Sequence, residues 1–233
     1  MKIAILEDEN IVADDIAQRI RSASVFSDRG ADITIFSDGE SLIASKMSFD
    51  VIFVDYQLGG GKNGMDTVKV IRQTDPDVKV VFLTNYPEYV FESFKVNTFR
   101  YLVKPVADED LEEALGDLVD DDYSNMVITA GKKGELSHIK VSDIMYVESS
   151  GRNSWLYTLD GSVFINKNIT YLEKLFPDMF FCRINRCSVL NFEYMTDTPT
   201  NTKTMADGKK INVSRTRRAE FKKKYLRYLK HKK

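Results

Sequence analysis

The sequence predicts two dissimilar halves: a doubly wound α/β fold on a parallel five-stranded sheet, then a mainly β domain with a C-terminal helix. Three observations carry that prediction. Strand and helix signals alternate five times between residues 2 and 118, the pattern of parallel strands joined by helical crossovers. After Asn125 the apolar runs shorten and turn signals separate them, as in antiparallel hairpins. The charge changes sign at the same place. Residues 1–124 hold 12 Lys and Arg against 25 Asp and Glu, a balance of −13, and residues 125–233 hold 21 against 10, or +11.

In the acidic half the first strand is KIAIL (2–6), and Val12, Ile16 and Ile20 at spacing four mark one face of the helix after it. ADITIF (31–36) and DVIFVD (50–55) follow. Residues 51–54 are apolar without alternation, so that strand is buried on both faces. Val68 and Ile71 mark the third helix, and Asp75-Pro76 ends it. KVVFLT (79–84) and FRYLV (99–103) complete the sheet. Sites in such sheets form beyond the carboxyl ends of the strands, at a switch in strand order.

Those ends carry Glu7 and Asp8, Asp55, Thr84, and Lys104-Pro105. Alone, each has a plain structural reading: Thr84 is a β-branched strand residue, and Lys104 a solvated charge before a turn. Three acids, a hydroxyl and an ammonium at corresponding ends point instead to phosphoryl transfer onto a carboxylate. Clustered carboxylates with a backbone carbonyl suit Mg²⁺. Asp55 would be the nucleophile and an acyl phosphate the product. Lys104 and the metal would neutralise the phosphoryl oxygens, and the Thr84 hydroxyl would hydrogen-bond one of them. Haloacid-dehalogenase-type phosphatases share such a nucleophile but need a second Asp two positions on as general acid. That position is Gln57, which cannot donate and reclaim a proton.

Residues 1 to about 118 resemble the receiver domain of a bacterial two-component response regulator, a flavodoxin-like fold, through Glu7-Asp8, Asp55, Thr84 and Lys104-Pro105. Tyr101 occupies the family's switch-aromatic position. The resemblance implies a sensor histidine kinase as phosphoryl donor and the Gln57 carbonyl as a further metal ligand beside Glu7, Asp8 and Asp55. It also implies a cis Lys104-Pro105 bond, and dimerisation on phosphorylation through a surface around residues 87–117. Two features depart from the family: YQLGGGKNG after Asp55 lacks a Pro and is about one residue longer, and Asn85 follows Thr84 where a small residue is usual. Gly64 suits the turn before the third helix.

The basic half follows an acidic linker, 119–124. Its strand-like runs are MVIT (126–129), IMYVES (144–149), SWLYTL (154–159), SVFI (162–165) and INVS (211–214), with Asp160-Gly161 and Asp207-Gly208 as hairpin turns. Helices are expected at about 168–176 and from about 216 to the end, the latter capped by Ser214 and buried through Phe221, Tyr225 and Leu229. Arg215, Arg217 and Arg218 crowd its first turn against the helix dipole, a conflict that an incoming phosphate would remove. Tyr157, Phe164, Tyr171 and Phe181 lie in apolar patterns and are expected to fill the core.

GRNSW (151–155), FFCRINRCSVLN (180–191) and INVSR (211–215) resemble the LytTR DNA-binding domain, with Phe180, Phe181, Arg183, Arg186 and Asn191 matching its pattern. With the receiver, the 125–233 half identifies the chain as a member of the LytR/AlgR response regulators. The resemblance implies loops laid into DNA major grooves. Carried over by position, Arg152, Asn153, Ser154, Asn185, Arg186 and Arg215 face bases, and Arg183, Lys203, Arg217 and Arg218 face phosphates.

The whole chain is 43% hydrophobic and 29% charged, ordinary for a soluble globular protein. It has no apolar run of membrane-spanning length, and four apolar residues after Lys2 are too few for a signal peptide. The expectation is a cytoplasmic regulator of transcription, switched by phosphorylation at Asp55. It has Mg²⁺ as cofactor, double-stranded DNA as partner, no membrane partner, and no catalysis beyond its own phosphorylation and dephosphorylation. RNA or a protein is the alternative partner of the basic half. Two cysteines with two histidines make no zinc pattern, and free thiols are expected.

Overall fold

The computed structural model describes residues 1–26, 30–59, 63–85, 96–132, 135–196 and 201–232. The chain divides into two compact units, Met1–Leu115 and Gly116–Lys233. The first contains β1 (Lys2–Leu6), α1 (Asn10–Ser22), β2 (Asp32–Phe36), α2 (Gly39–Ser45), β3 (Val51–Asp55), α3 (Gly64–Ile71), β4 (Lys79–Thr84) and β5 (Arg100–Val103). The sheet is parallel throughout, in the order β2-β1-β3-β4-β5, so the order reverses between β1 and β3. All five expected strands form. Every residue of β3 is buried, as its unbroken apolar run requires. On α1 the buried face is Ala13, Ile16, Ala17 and Ile20. The part of the expected dimer surface at 87–95 lies outside the described residues, as do 60–62 of the loop after β3.

The helix α4 (Asp108–Asn125) corrects the expected linker. Residues 119–124 are helical, because Leu111, Leu115, Leu118 and Val119 continue one apolar face through the acids; Leu118, Val119 and Tyr123 are all buried.

The second unit contains β6 (Val127–Lys132), β7 (Glu135–Lys140), β8 (Tyr146–Ser150), β9 (Asn153–Thr158), β10 (Gly161–Ile165), α5 (Ile169–Leu175), β11 (Phe181–Arg183), β12 (Ser188–Asn191), β13 (Thr202–Thr204), β14 (Lys210–Asn212) and α6 (Arg218–His231). Strands β10-β9-β8-β12-β11 form one antiparallel sheet, and β6-β7 and β13-β14 are separate hairpins. Strand β7 carries no sequence signal, since four of the six residues of ELSHIK are polar.

Asn191 anchors this core. Its Nδ2 donates to the Tyr123 hydroxyl (2.7 Å) and the Ile144 carbonyl (2.9 Å), and its Oδ1 accepts from the Glu193 N–H (3.1 Å). A buried amide that satisfies three groups is hard to replace, because each partner left alone keeps its desolvation cost. Tyr123 stacks on Phe180 with ring centroids 3.8 Å apart.

Three expectations for this half are corrected. Ser214 makes no side-chain cap and precedes a 3-10 turn, Arg215–Arg217, so α6 proper starts at Arg218. Leu229 is exposed, and the third anchor of α6 is Arg227, buried with its NH2 on the Asp178 carbonyl (2.8 Å) and carboxylate (3.2 Å). Tyr171 is also exposed, with the Lys167 ammonium 4.7 Å from its ring centre. Cys182 is buried, its thiol pKa pushed up to about 12 by that burial, whereas Cys187 is exposed and its pKa lowered by hydrogen bonding to Ser149.

Candidate functional site

Strand register assembles the acidic site. Leu6 of β1 pairs with Val54 of β3, which sets Glu7 level with Asp55. Asp55 pairs with Leu83, and Thr84 with Val103, so Thr84 and Lys104 are the next residues along the same edge. Lys104 Nζ donates to Asp55 Oδ2 at 2.8 Å and to Glu7 Oε2 at 2.6 Å. Glu7, Asp8 and Asp55 each offer a carboxylate oxygen within 4.8 Å of the others.

Burial sets the electrostatics. Glu7 is fully buried and its pKa is raised, first by that burial, with the Lys104 hydrogen bond opposing and Asp55 adding to the rise. Burial works against the Lys104 ammonium too, but hydrogen bonds to Asp55 and Glu7 outweigh it and its pKa is raised. Two of the three clustered acids pair with one ammonium, and the ligand atoms the three offer are all hard oxygens. That set fits a divalent cation which takes few protein ligands and keeps its waters.

Local backbone holds the acids in place. The Gln57 N–H donates to Asp55 Oδ1 (3.1 Å), and the Gly59 N–H to Asp8 Oδ2 (3.0 Å). Asn63 caps α3 by accepting from the Met65 N–H (2.8 Å). A Cβ on Gly64 would lie 2.0 Å from the Asp55 carbonyl oxygen. Glycine is needed there for close approach of α3 to β3, rather than for a turn. Thr84 is buried, Asn85 exposed, and Tyr101 half-buried against the core that holds Phe82 and Val96. The Lys104-Pro105 bond is cis, as the resemblance implied. Gly59 escaped the sequence reading, although its place in a run of three glycines was a signal.

In the basic unit, three hydrogen bonds bring separate loops to one edge. The Ser149 N–H donates to the Cys187 carbonyl (2.8 Å), Asn185 Nδ2 to the Asn212 carbonyl (3.0 Å), and the Ser214 N–H to the Ile184 carbonyl (2.8 Å). They join the β8–β9 turn, the 184–187 loop and the segment after β14. Gly151, at φ +63°, makes the tight turn that leaves Arg152 at its tip. Arg152, Arg186, Arg215 and Arg218 are all exposed, and Asn153 is half-buried on β9.

Five of the sequence-assigned DNA residues are corrected. Ser154 is fully buried, and among the described residues its hydroxyl has no hydrogen-bond partner. Lys203 is also fully buried, with Nζ 4.9 Å from the centre of the Phe221 ring, so it is removed from phosphate. Asn185 donates one amide N–H to the Asn212 carbonyl and accepts from the Cys187 N–H (2.7 Å), so the loop fixes the orientation of its amide instead of leaving it to turn toward a base. Arg183 is a loop builder: Nε donates to the Asn185 carbonyl, NH2 to the Arg186 carbonyl, and NH1 to Thr170 and Glu173. Arg217 is half-buried on Glu220 (2.8 Å) and Glu173 (3.5 Å), and its pKa is raised, first by the Glu220 hydrogen bond.

Residues 5–116 match the family described as "Response regulator receiver domain", and residues 134–226 the "LytTr DNA-binding domain". The "Sensory transduction protein LytT" of Bacillus subtilis is 26% identical over 241 residues, covering 96% of this chain and 98% of that protein. Its namesake in Bacillus cereus is 22% identical over 244 residues, with the same coverage. The "Transcriptional regulatory protein LytR" of Staphylococcus aureus is 19% identical over 243 residues, covering 95% of this chain and 98% of that one. No helix among the described residues is long and apolar enough to cross a membrane. With both profiles matched in order and full-length relatives of the same layout, the chain belongs to the two-component response regulators that join a receiver domain to a LytTR DNA-binding domain.

Proposed function

We propose that Asp55 is the phosphoacceptor of this regulator, and that its phosphorylation by a sensor histidine kinase in the cytoplasm drives dimerisation and binding to specific duplex DNA. One observation carries the reading: the Lys104 ammonium is held between Asp55 and Glu7 at the carboxyl end of the sheet. An Asp55 oxygen attacks the phosphorus of the phosphohistidine, the P–N bond breaks, and an acyl phosphate forms. Lys104 then has a phosphoryl oxygen to pair with, and the Thr84 hydroxyl moves to hydrogen-bond another. Glu7, Asp8, Asp55 and the Gln57 carbonyl would hold Mg²⁺, which supplies charge neutralisation on the phosphoryl oxygens when bound. The space left by Thr84 lets Tyr101 turn inward and alters the surface around 87–117, where two receivers pair.

In this division of labour the acidic half receives the phosphoryl group and the basic half binds DNA; no chemistry beyond phosphorylation and dephosphorylation is assigned. Dimerisation raises the effective concentration of each half-site reader at the second half-site. The protein is expected to sediment as a monomer when unphosphorylated and as a dimer when phosphorylated, at micromolar concentration. Equal sedimentation in both states refutes that step.

On the DNA side, Arg152, Arg186 and Arg215 are assigned to base edges and Arg218 to phosphate, on the strength of their exposure at one edge. Losing a bidentate base contact costs ~1–3 kcal/mol of discrimination. So Arg186→Ala should weaken binding to a duplex selected from a random pool by about 5- to 150-fold, with little change on random duplex. Arg218→Ala should weaken both alike and reduce the salt slope by about one. Equal losses on both duplexes from Arg186→Ala would show that it does not read bases.

A further inference from the structure

The exposed arginines at the DNA-facing edge are backed by one carboxylate. Glu173, on α5, places Oε2 2.8 Å from Arg183 NH1 and Oε1 3.5 Å from Arg217 NH1. Arg183 is the residue that shapes the loop holding Arg186, through the Asn185 and Arg186 carbonyls. Arg217 closes the 3-10 turn that begins at Arg215 and adjoins Arg218. The two oxygens of a single side chain therefore reach the supports of two different loops.

We propose that Glu173 is a positioning residue that sets the DNA specificity of the basic unit; this rests on the duplex-binding reading above. The argument has two parts. Linked through Glu173, the Arg183 and Arg217 loops keep one geometry relative to each other, which benefits only a duplex whose base edges match it. The same negative charge keeps Arg217 from phosphate, and so lowers affinity for every duplex whatever its sequence. Glu220, 2.8 Å from Arg217 and itself 3.7 Å from Lys224, shares that restraint. The Arg183–Glu173 pair is mostly shielded, with side chains 13% and 26% exposed, so it is less screened than an open surface pair.

The test is a salt titration of full-length wild type and Glu173→Gln on a selected duplex and on random duplex. Glu173→Gln should lose about five- to tenfold on the selected duplex, the effect of a misplaced base contact. It should gain affinity on random duplex and steepen the salt slope there by up to about one, because Arg217 is then held by Glu220 alone and can turn to a phosphate. A purely structural role moves both duplexes down together and leaves the slope alone, and that result overturns the proposal. In an Arg217→Gln background the steepening should vanish; its persistence overturns the proposal too. Should Glu173→Gln fail to fold, Glu173→Asp keeps the charge but shortens the reach. It should lose specific affinity only, and an equal loss on random duplex counts against the idea. If wild type binds neither duplex in a salt-dependent way, the duplex-binding reading falls and takes this inference with it. A normal wild type with an unchanged variant removes this inference alone.

Discussion

Asp55→Asn is expected to abolish Mg²⁺-dependent labelling of the protein by a small phosphodonor. The substitution is close to isosteric, and the amide oxygen can still accept from the Gln57 N–H as Asp55 Oδ1 does at 3.1 Å. The fold should survive, because one of three clustered like charges is removed, and with it a charge that raises the Glu7 pKa. What is lost is the anionic nucleophile, since a carboxamide oxygen does not form a stable phosphoryl ester under these conditions. Mass spectrometry of the intact protein after donor treatment, with and without chelator, reads the result. Undiminished labelling in Asp55→Asn would move the acceptor to Glu7 or Asp8 and sink the assignment. Loss of labelling together with loss of the folded state would also fail to support it, so circular dichroism of the variant belongs to the same experiment.

The acidic half was legible because its information lies at strand ends. A strand buried on both faces shows itself as an unbroken apolar run, and a parallel sheet aligns the residues that follow each run. Glu7, Asp55, Thr84 and Lys104 could therefore be brought together on paper, and the register of β1, β3, β4 and β5 does so in space. The basic half gave less. Its strands β11, β13 and β14 are three residues long, too short for a period to declare itself. Polar side chains there were assigned to a surface by residue type alone, and type does not reveal burial. Lys203 reads as a surface cation until the Phe221 ring covers it, and Arg183 as a phosphate ligand until the loop's own carbonyls take its donors. Glu173 offered almost no signal, being a single acid on a short helix in a basic region. The helical 119–124 stretch is hard to see in the sequence for the opposite reason: its acids mask an apolar spacing that runs on from Leu111 to Tyr123.

Two glycines beside the acid cluster should separate fold from chemistry. A Cβ on Gly64 meets the Asp55 carbonyl oxygen at 2.0 Å, Val54 Cγ1 at 2.6 Å and the Asp55 carbonyl carbon at 3.1 Å. Two of those three atoms are backbone, so no rotamer change can relieve the clash. Either α3 moves away from β3, or the end of β3 bends and carries Asp55 with it. Overpacking of this kind costs about 1–3 kcal/mol or more. A Cβ on Gly59 meets the far end of one side chain, Asp8 Oδ2, at 2.5 Å. That carboxylate can swing aside, so the fold should hardly notice, but it leaves the place where the Gly59 N–H held it at 3.0 Å. Gly64→Ala should therefore speed amide hydrogen exchange in β1 and β3, by about 5- to 150-fold for a loss of ~1–3 kcal/mol, and lower phosphoacceptance with it. Gly59→Ala should leave those exchange rates near wild type and weaken Mg²⁺ binding, measured by titration of the metal alone. Comparable loss of protection in both variants would mean that the loop after β3 supports the sheet as a whole, and that its glycines are not divided between packing and metal placement.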